Sequence, residues 1–226
     1  SSAIDFGNLS SSGYSAAGVS NNTRGLWAGG YRPNNSAVVN TVDYVTIATL
    51  GNATDFGDLI APQRSLSGGS NTTRAVFGGG AYPAVVDTIS YVTIASTGNS
   101  ADFGNLTDAR DNTAAGSSPT RTCFAGGRDP GTSNIIDYIT TATTGNAIDF
   151  GDLTGQTNAR HGMASNGMRG VIAGDNNITN SLDYITFAST GNSKDFGDQA
   201  DVGAYDGYAP VTSSFGVCSD SHGGLS

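Results

Sequence analysis

Asp102-Phe103-Gly104-Asn105-Leu106 and Asp149-Phe150-Gly151-Asp152-Leu153 are two copies of one phrase, whose core Asp-Phe-Gly stands at 5–7, 55–57, 102–104, 149–151 and 195–197. Successive copies are 50, 47, 47 and 46 residues apart. A period of that size marks a protein assembled from supersecondary units, each too small to bury its own apolar face. Two more blocks keep the same phase. Asp43-Tyr44-Val45-Thr46 returns at 90–93, 137–140 and 183–186, and the block Arg24 to Gly30 returns at 74–80, 121–127 and 169–175.

Around the phrase at 102–106 the whole unit can be read. Residues 64–70 predict a short first strand ending in glycines, and Asn71-Thr72-Thr73 turns the chain into a second strand at 74–80. In the third segment Ile89, Tyr91, Thr93 and Ala95 fall on one face and Ser90, Val92 and Ile94 on the other. Neither face is strongly polar, as expected of a strand covered on both sides. Thr97-Gly98-Asn99-Ser100 supplies a hairpin turn of residues that tolerate left-handed backbone angles. The outer strand then carries Phe103 and Leu106 toward the next unit. No stretch shows helical periodicity over a helix length, so the class is all-β.

Four-strand units of this period, with glycine-marked inner strands, predict propeller blades around an axis. An open β-solenoid, or an arrangement completed by other subunits, is the alternative. The spacing predicts a single repeat domain over 1–226: an outer strand at 1–9, repeats at about 10–59, 60–106, 107–153 and 154–199, and an incomplete closing repeat at 200–226. The expected form is a five-bladed propeller whose composite last blade is closed by Ile4–Leu9 pairing with segments at 205–210 and 214–219. A chain that opens inside a repeat also reads as a mature or excised piece of something longer.

At this point the residues carry a resemblance. An Arg followed by glycines, an apolar strand ending in Gly-Gly, a tyrosine strand and an outer aromatic resemble the kelch blade, and Arg160-His161-Gly162 matches its first-strand opening. The outer aromatic is Phe rather than the Trp usual in kelch, and Tyr14 and Tyr205 stand where an arginine opens other units. The stretch 136–154 is similar to repeats in virion proteins of tailed phages of marine bacteria. That resemblance implies a structural protein of a tail, fibre or capsid surface, extracellular, with other virion proteins, a host-surface receptor or a glycan as partner, and homo-oligomerisation within a particle.

Charge and chemistry narrow the classes. Ten Lys and Arg stand against 19 Asp and Glu, for a formal charge of -9, so a nucleic-acid surface is not expected. No run approaches the length of about 18 apolar residues that a spanning helix needs. Cys123 and Cys218 fall at non-matching positions and do not build a disulfide scaffold. Asp5, Asp55, Asp102, Asp149 and Asp195 look like a ring of ligands, but equivalent positions on separate blades lie far apart, and a metal site needs several oxygens in one sphere. Turn and hydrogen-bond roles fit them better. The two histidines, His161 and His222, form no cluster. We therefore expect no catalytic residue, no metal site and no cofactor.

Two residue sets remain. Phe6, Phe56, Phe103, Phe150 and Phe196, with Arg64, Arg110 and Arg160, read as structural anchors. Phe56, Phe103, Phe150 and Phe196 are expected to be buried between blades, and the matching Gly-Asn turns to face solvent. Tyr31, Arg32, Asn34, Tyr82, Arg128, Asp129, Asn176 and Asn177 occupy the loop after the second strand, where the repeats differ, and read as candidate surface-recognition residues. The expected function is a non-enzymatic virion module presenting a rigid surface for assembly or host attachment. A glycan-binding propeller is the runner-up, with a sugar-active enzyme behind it.

Overall fold

The computed structural model describes residues 3–128, 130–157, 162–173, 181–198 and 216–217. Blade one holds β1 (Ala17–Ser20), β2 (Arg24–Ala28), the small hairpin β3 (Tyr31–Arg32) and β4 (Ala37–Val38), then β5 (Thr41–Thr46) and β6 (Thr54–Asp58). Blade two is β7 (Ser67–Ser70), β8 (Arg74–Gly78), β9 (Thr88–Thr93) and β10 (Ala101–Asn105). Blade three is β11 (Ala114–Ser117), β12 (Arg121–Ala125), β13 (Ser133–Thr140) and β14 (Ile148–Thr157). Blade four is β15 (Gly162–Ser165), β16 (Arg169–Ala173), β17 (Ser181–Thr186) and β18 (Lys194–Asp198). Each is an antiparallel meander, and the first strands of successive blades meet around the centre. The result is a four-bladed β-propeller.

The five-bladed expectation is therefore corrected. Of the closing repeat, only β19 (Gly216–Val217) is described, and it adds in parallel to β1, with Val19 opposite Gly216 and Ser20 opposite Val217. Residues 205–210 lie outside the described part. Ile4–Leu9 is not a sheet strand. A strand needs a ladder partner, and the segment instead offers its Phe6 and Asn8 carbonyls to the amides of Gly51 and Ala53 at the hairpin turn of blade one.

The Asp-Phe-Gly phrase is a β-bulge. In blade two, Ser90 pairs with Asp102 and Ile89 with Gly104, so Phe103 is the extra residue and its ring is turned out of the ladder. Gly104 sits at φ 142, and its amide donates to Asp102 Oδ1. The aspartates at 5, 55, 149 and 195 accept from the glycine two residues on in the same way.

Against the bulges of blades one, two and three docks the hairpin turn of the next blade. Gly98 donates to the Phe56 carbonyl at 2.7 Å and Ser100 to Asp58 at 2.7 Å, while Asn99 Oδ1 accepts from the Asp58 amide at 3.0 Å. Blades two and three, and three and four, repeat the set through Asn146 and Asn192. These turns are exposed at their tips, but they also latch one blade to the next. A Cβ on Gly57, Gly104 or Gly151 would run into the docked turn, which explains the invariable glycine.

Apolar burial follows the same interfaces. One cluster joins Phe56 and Leu59 of blade one to Phe77, Val92 and Ile94 of blade two. A second joins Phe103 and Leu106 to Phe124 and Ile139, and a third joins Phe150 and Leu153 to Ile185 and Phe187. Three interfaces make three cores.

Candidate functional site

The connections from second to third strand and from outer to next first strand share one face of the propeller, and most of the predicted recognition residues sit there. Tyr14, Arg64 and Asp111 occupy one equivalent position and bridge, respectively, to Tyr31, Ala81 and Arg128. The backbone frame is constant: Ser65 donates to the Ser15 carbonyl and Asn112 to that of Ser65. Ser15, Ser65 and Asn112 all adopt positive φ, at 59, 57 and 54. Non-glycine residues in that region signal a conformation imposed by surrounding bonds.

On this frame each blade presents different chemistry. Blade one sets the Tyr14 and Tyr31 rings 5.2 Å apart, tilted by 41°. Blade two presents exposed Tyr82, one residue past Ala81, which bridges exposed Arg64. Blade three pairs Arg128 with Asp111, Nε to Oδ1 at 2.8 Å and Nη2 to Oδ2 at 3.3 Å. That hydrogen bond pushes the Arg128 guanidinium pKa up, so the group stays charged. Asp129, Asn176 and Asn177 lie outside the described residues.

Arg32 and Asn34 each bond within the chain, and Asn34 remains exposed. Arg32 Nη1 donates to the Ser11 carbonyl at 2.6 Å, Nη2 lies 3.6 Å from buried Asp43, and Asn34 Nδ2 donates to Ser12 Oγ at 3.3 Å. The reason lies in the repeat register. Gly13, Gln63 and Arg110 are equivalent, each one residue before the bridged position, and the Arg32 side chain lies over side-chain-free Gly13. In blade three Arg110 does the corresponding work itself, bonding Asp137 at 2.6 Å and the carbonyls of Gly126 and Ile135. An arginine from a variable loop thus replaces one missing from the frame.

This register also separates the predicted arginine anchors. Arg110 is buried in its network, Arg64 is one position later and exposed, and Arg160 lies outside the described residues. The second-strand arginines are the regular ones. Arg24, Arg74 and Arg121 lie over Tyr44, Tyr91 and Tyr138, each 4.6 Å from the ring centroid, and donate to carbonyls of Ile94, Thr141 and Phe187 in the next blade.

The phenylalanine anchors divide. Phe56, Phe103 and Phe150 are 2–3% exposed, whereas Phe196 is 53% exposed and Phe6 half-buried. The expectation that Phe196 is buried is corrected: among the described residues no blade follows β18 to cover it.

For catalysis the described residues offer little that converges. No group of three or more His, Cys, Asp or Glu among them could hold a metal ion. Cys123 is buried, and burial pushes its thiol pKa far up, which keeps it protonated and unreactive. His161, His222 and Cys218 lie outside the described residues. No helix among the described residues is long and apolar enough to cross a membrane. Tyr14 and Asp111 are rim residues outside the variable-loop candidates, and the sequence carries a signal for them, since both break the residue type at a repeating position. Compared with known proteins, the chain matches no family model and no curated protein.

Proposed function

We propose that this propeller is a non-catalytic module presenting a rigid rim to a partner, and that the partner belongs to a phage particle or its host surface, as the repeat's resemblance to virion proteins implies. The observation that carries the reading is the contrast on one face: an unchanging hydrogen-bonded frame bears a Tyr14–Tyr31 pair, then Tyr82, then an Arg128–Asp111 pair. Aromatic rings and arginine on fixed backbone lose little conformational freedom on binding. Replacing Tyr14, Tyr31, Tyr82 and Arg128 together by Ala should lower attachment to host cells or to the adjoining virion protein about tenfold or more, with the thermal transition kept. Unchanged attachment and assembly would leave a spacer role.

The exposed tyrosines favour one second reading, a glycan-binding propeller, because aromatic faces stack on the apolar faces of sugars. A glycan array with the isolated protein separates the two. Specific binding that is lost in Tyr82→Ala supports the lectin, and incorporation into particles without glycan binding supports the scaffold.

A further inference from the structure

Each interior interface has two halves. The leading blade supplies an Arg–Tyr–Phe stack and a bulged outer strand. The following blade supplies a Gly-Asn turn, a buried residue after its third strand, and that residue's carbonyl: Ile94 for Arg24, Thr141 for Arg74 and Phe187 for Arg121. Blade four carries a complete leading half on which no described residue docks as a Gly-Asn turn does elsewhere. Arg169 lies 5.0 Å from the Tyr184 ring centroid, and Tyr184 lies 6.0 Å from Phe196. Phe196 is half exposed, and a Cβ on Gly197 would meet nothing within 4 Å.

The matching following half is on blade one. Its turn Gly51-Asn52 is held by residues 6–8, through the same bonds that a bulge makes elsewhere: Gly51 to Phe6 O, Ala53 to Asn8 O, and Asn8 to Asn52 Oδ1. Yet Ile47, which stands where Ile94 is fully buried, is 44% exposed. Residues 5–8 mimic the outer strand alone. They bring no arginine and no tyrosine to cover Ile47.

We propose that blade four of one copy docks on blade one of a second copy, with Asp195-Phe196-Gly197 displacing that copy's Asp5-Phe6-Gly7 from Gly51-Asn52. The second copy is the occupant because its Gly51-Asn52 turn bonds this phrase through a segment outside any sheet, beside an uncovered apolar residue in register with the Arg169 stack. Exchange replaces a bare strand by a strand with its stack, so the docked form gains contacts that the competitor lacks. The contact is heterologous and builds an open chain or a ring rather than a two-fold dimer. Residues 5–8 act as its internal brake. The proposal does not depend on the rim.

Sedimentation velocity of the full chain over a concentration series tests it, alongside Gly7→Val, whose side chain would run into the Gly51 carbonyl and release the brake without touching blade four. Mass should rise with concentration, and Gly7→Val should lower the concentration for half association about tenfold or more. Phe6→Ala, a milder release, should shift it the same way. Adding Arg169→Ala and Phe196→Ser should restore the monomer. A Gly7→Val chain that stays monomeric, because its own blade four takes the freed turn or residues beyond Asp198 cover Phe196, overturns the proposal. So does association that survives loss of Arg169 and Phe196.

Discussion

Phe150 and Phe196 stand in the same phrase, each edge-on to a tyrosine of its own blade with centroids 5.8 and 6.0 Å apart, yet one is buried and the other half in solvent. Their blades are built alike. What differs is the neighbour: Gly191-Asn192, Ser193 and Phe187 of blade four close over Phe150, and among the described residues no such turn reaches Phe196. The repeat unit is therefore not an independent source of stability. Its apolar and polar groups are completed by the following blade, as expected when short sheets cannot bury both faces alone.

The bulge glycine sharpens this contrast most. Gly104→Val should cost more than about 4 kcal/mol, because the new side chain meets docked backbone and the residue leaves an allowed φ. Gly197→Val faces open space and should cost only the φ strain, about 1–3 kcal/mol. Denaturant midpoints of the two variants check the difference, and similar losses would break the comparison.

A second contrast lies inside the buried frame. Arg110→Gln leaves Asp137 without its charged partner and should cost about 3–5 kcal/mol. Blade two solves the same position without charge, through Gln63, Ser90 and an apolar Ile60 where Thr107 bonds Asp137 in blade three. Copying it with Arg110→Gln and Asp137→Ser together should recover at least about half of that loss, since an ion pair and a neutral replacement are often close in free energy. A double variant no better than Arg110→Gln alone would show that the network has another role.

The second-strand arginines should give the smallest effect. Arg74→Ala loses a cation–π contact and a carbonyl bond to Thr141, for about 1 kcal/mol, while exposed Arg169→Ala should fall within about 0.5 kcal/mol. Thermal or chemical unfolding of both variants measures this. A larger loss at Arg169 would mean that its face is covered in solution.

Much of the architecture was legible because strand length, turn chemistry and aromatic spacing are local properties repeated in phase. The tyrosine strand, the Gly-Asn turn and the bulged Phe all occur where the pattern predicts a strand, a turn and an outer aromatic. The blade number was not legible in the same way. Asp5-Phe6-Gly7 is spelled like four true outer strands, but a strand is defined by its partner, and here the phrase met a turn instead. The rim was legible only in part, since Tyr31, Tyr82 and Arg128 lie there as variable-loop residues should. Arg32 stands among them in sequence and serves the frame in space, and only the bare position at Gly13 hinted at that exchange. Arg64 and Arg110 looked equivalent because both precede a first strand, and one residue of register puts one in solvent and the other in the core.

The claim that each blade is completed by the next is tested most directly by the paired truncations Phe150→Ala and Phe196→Ala, compared by chemical denaturation at a concentration low enough to keep the chain monomeric. Phe150→Ala should cost about 3–5 kcal/mol and Phe196→Ala less than about 1 kcal/mol. Equal losses would contradict the account.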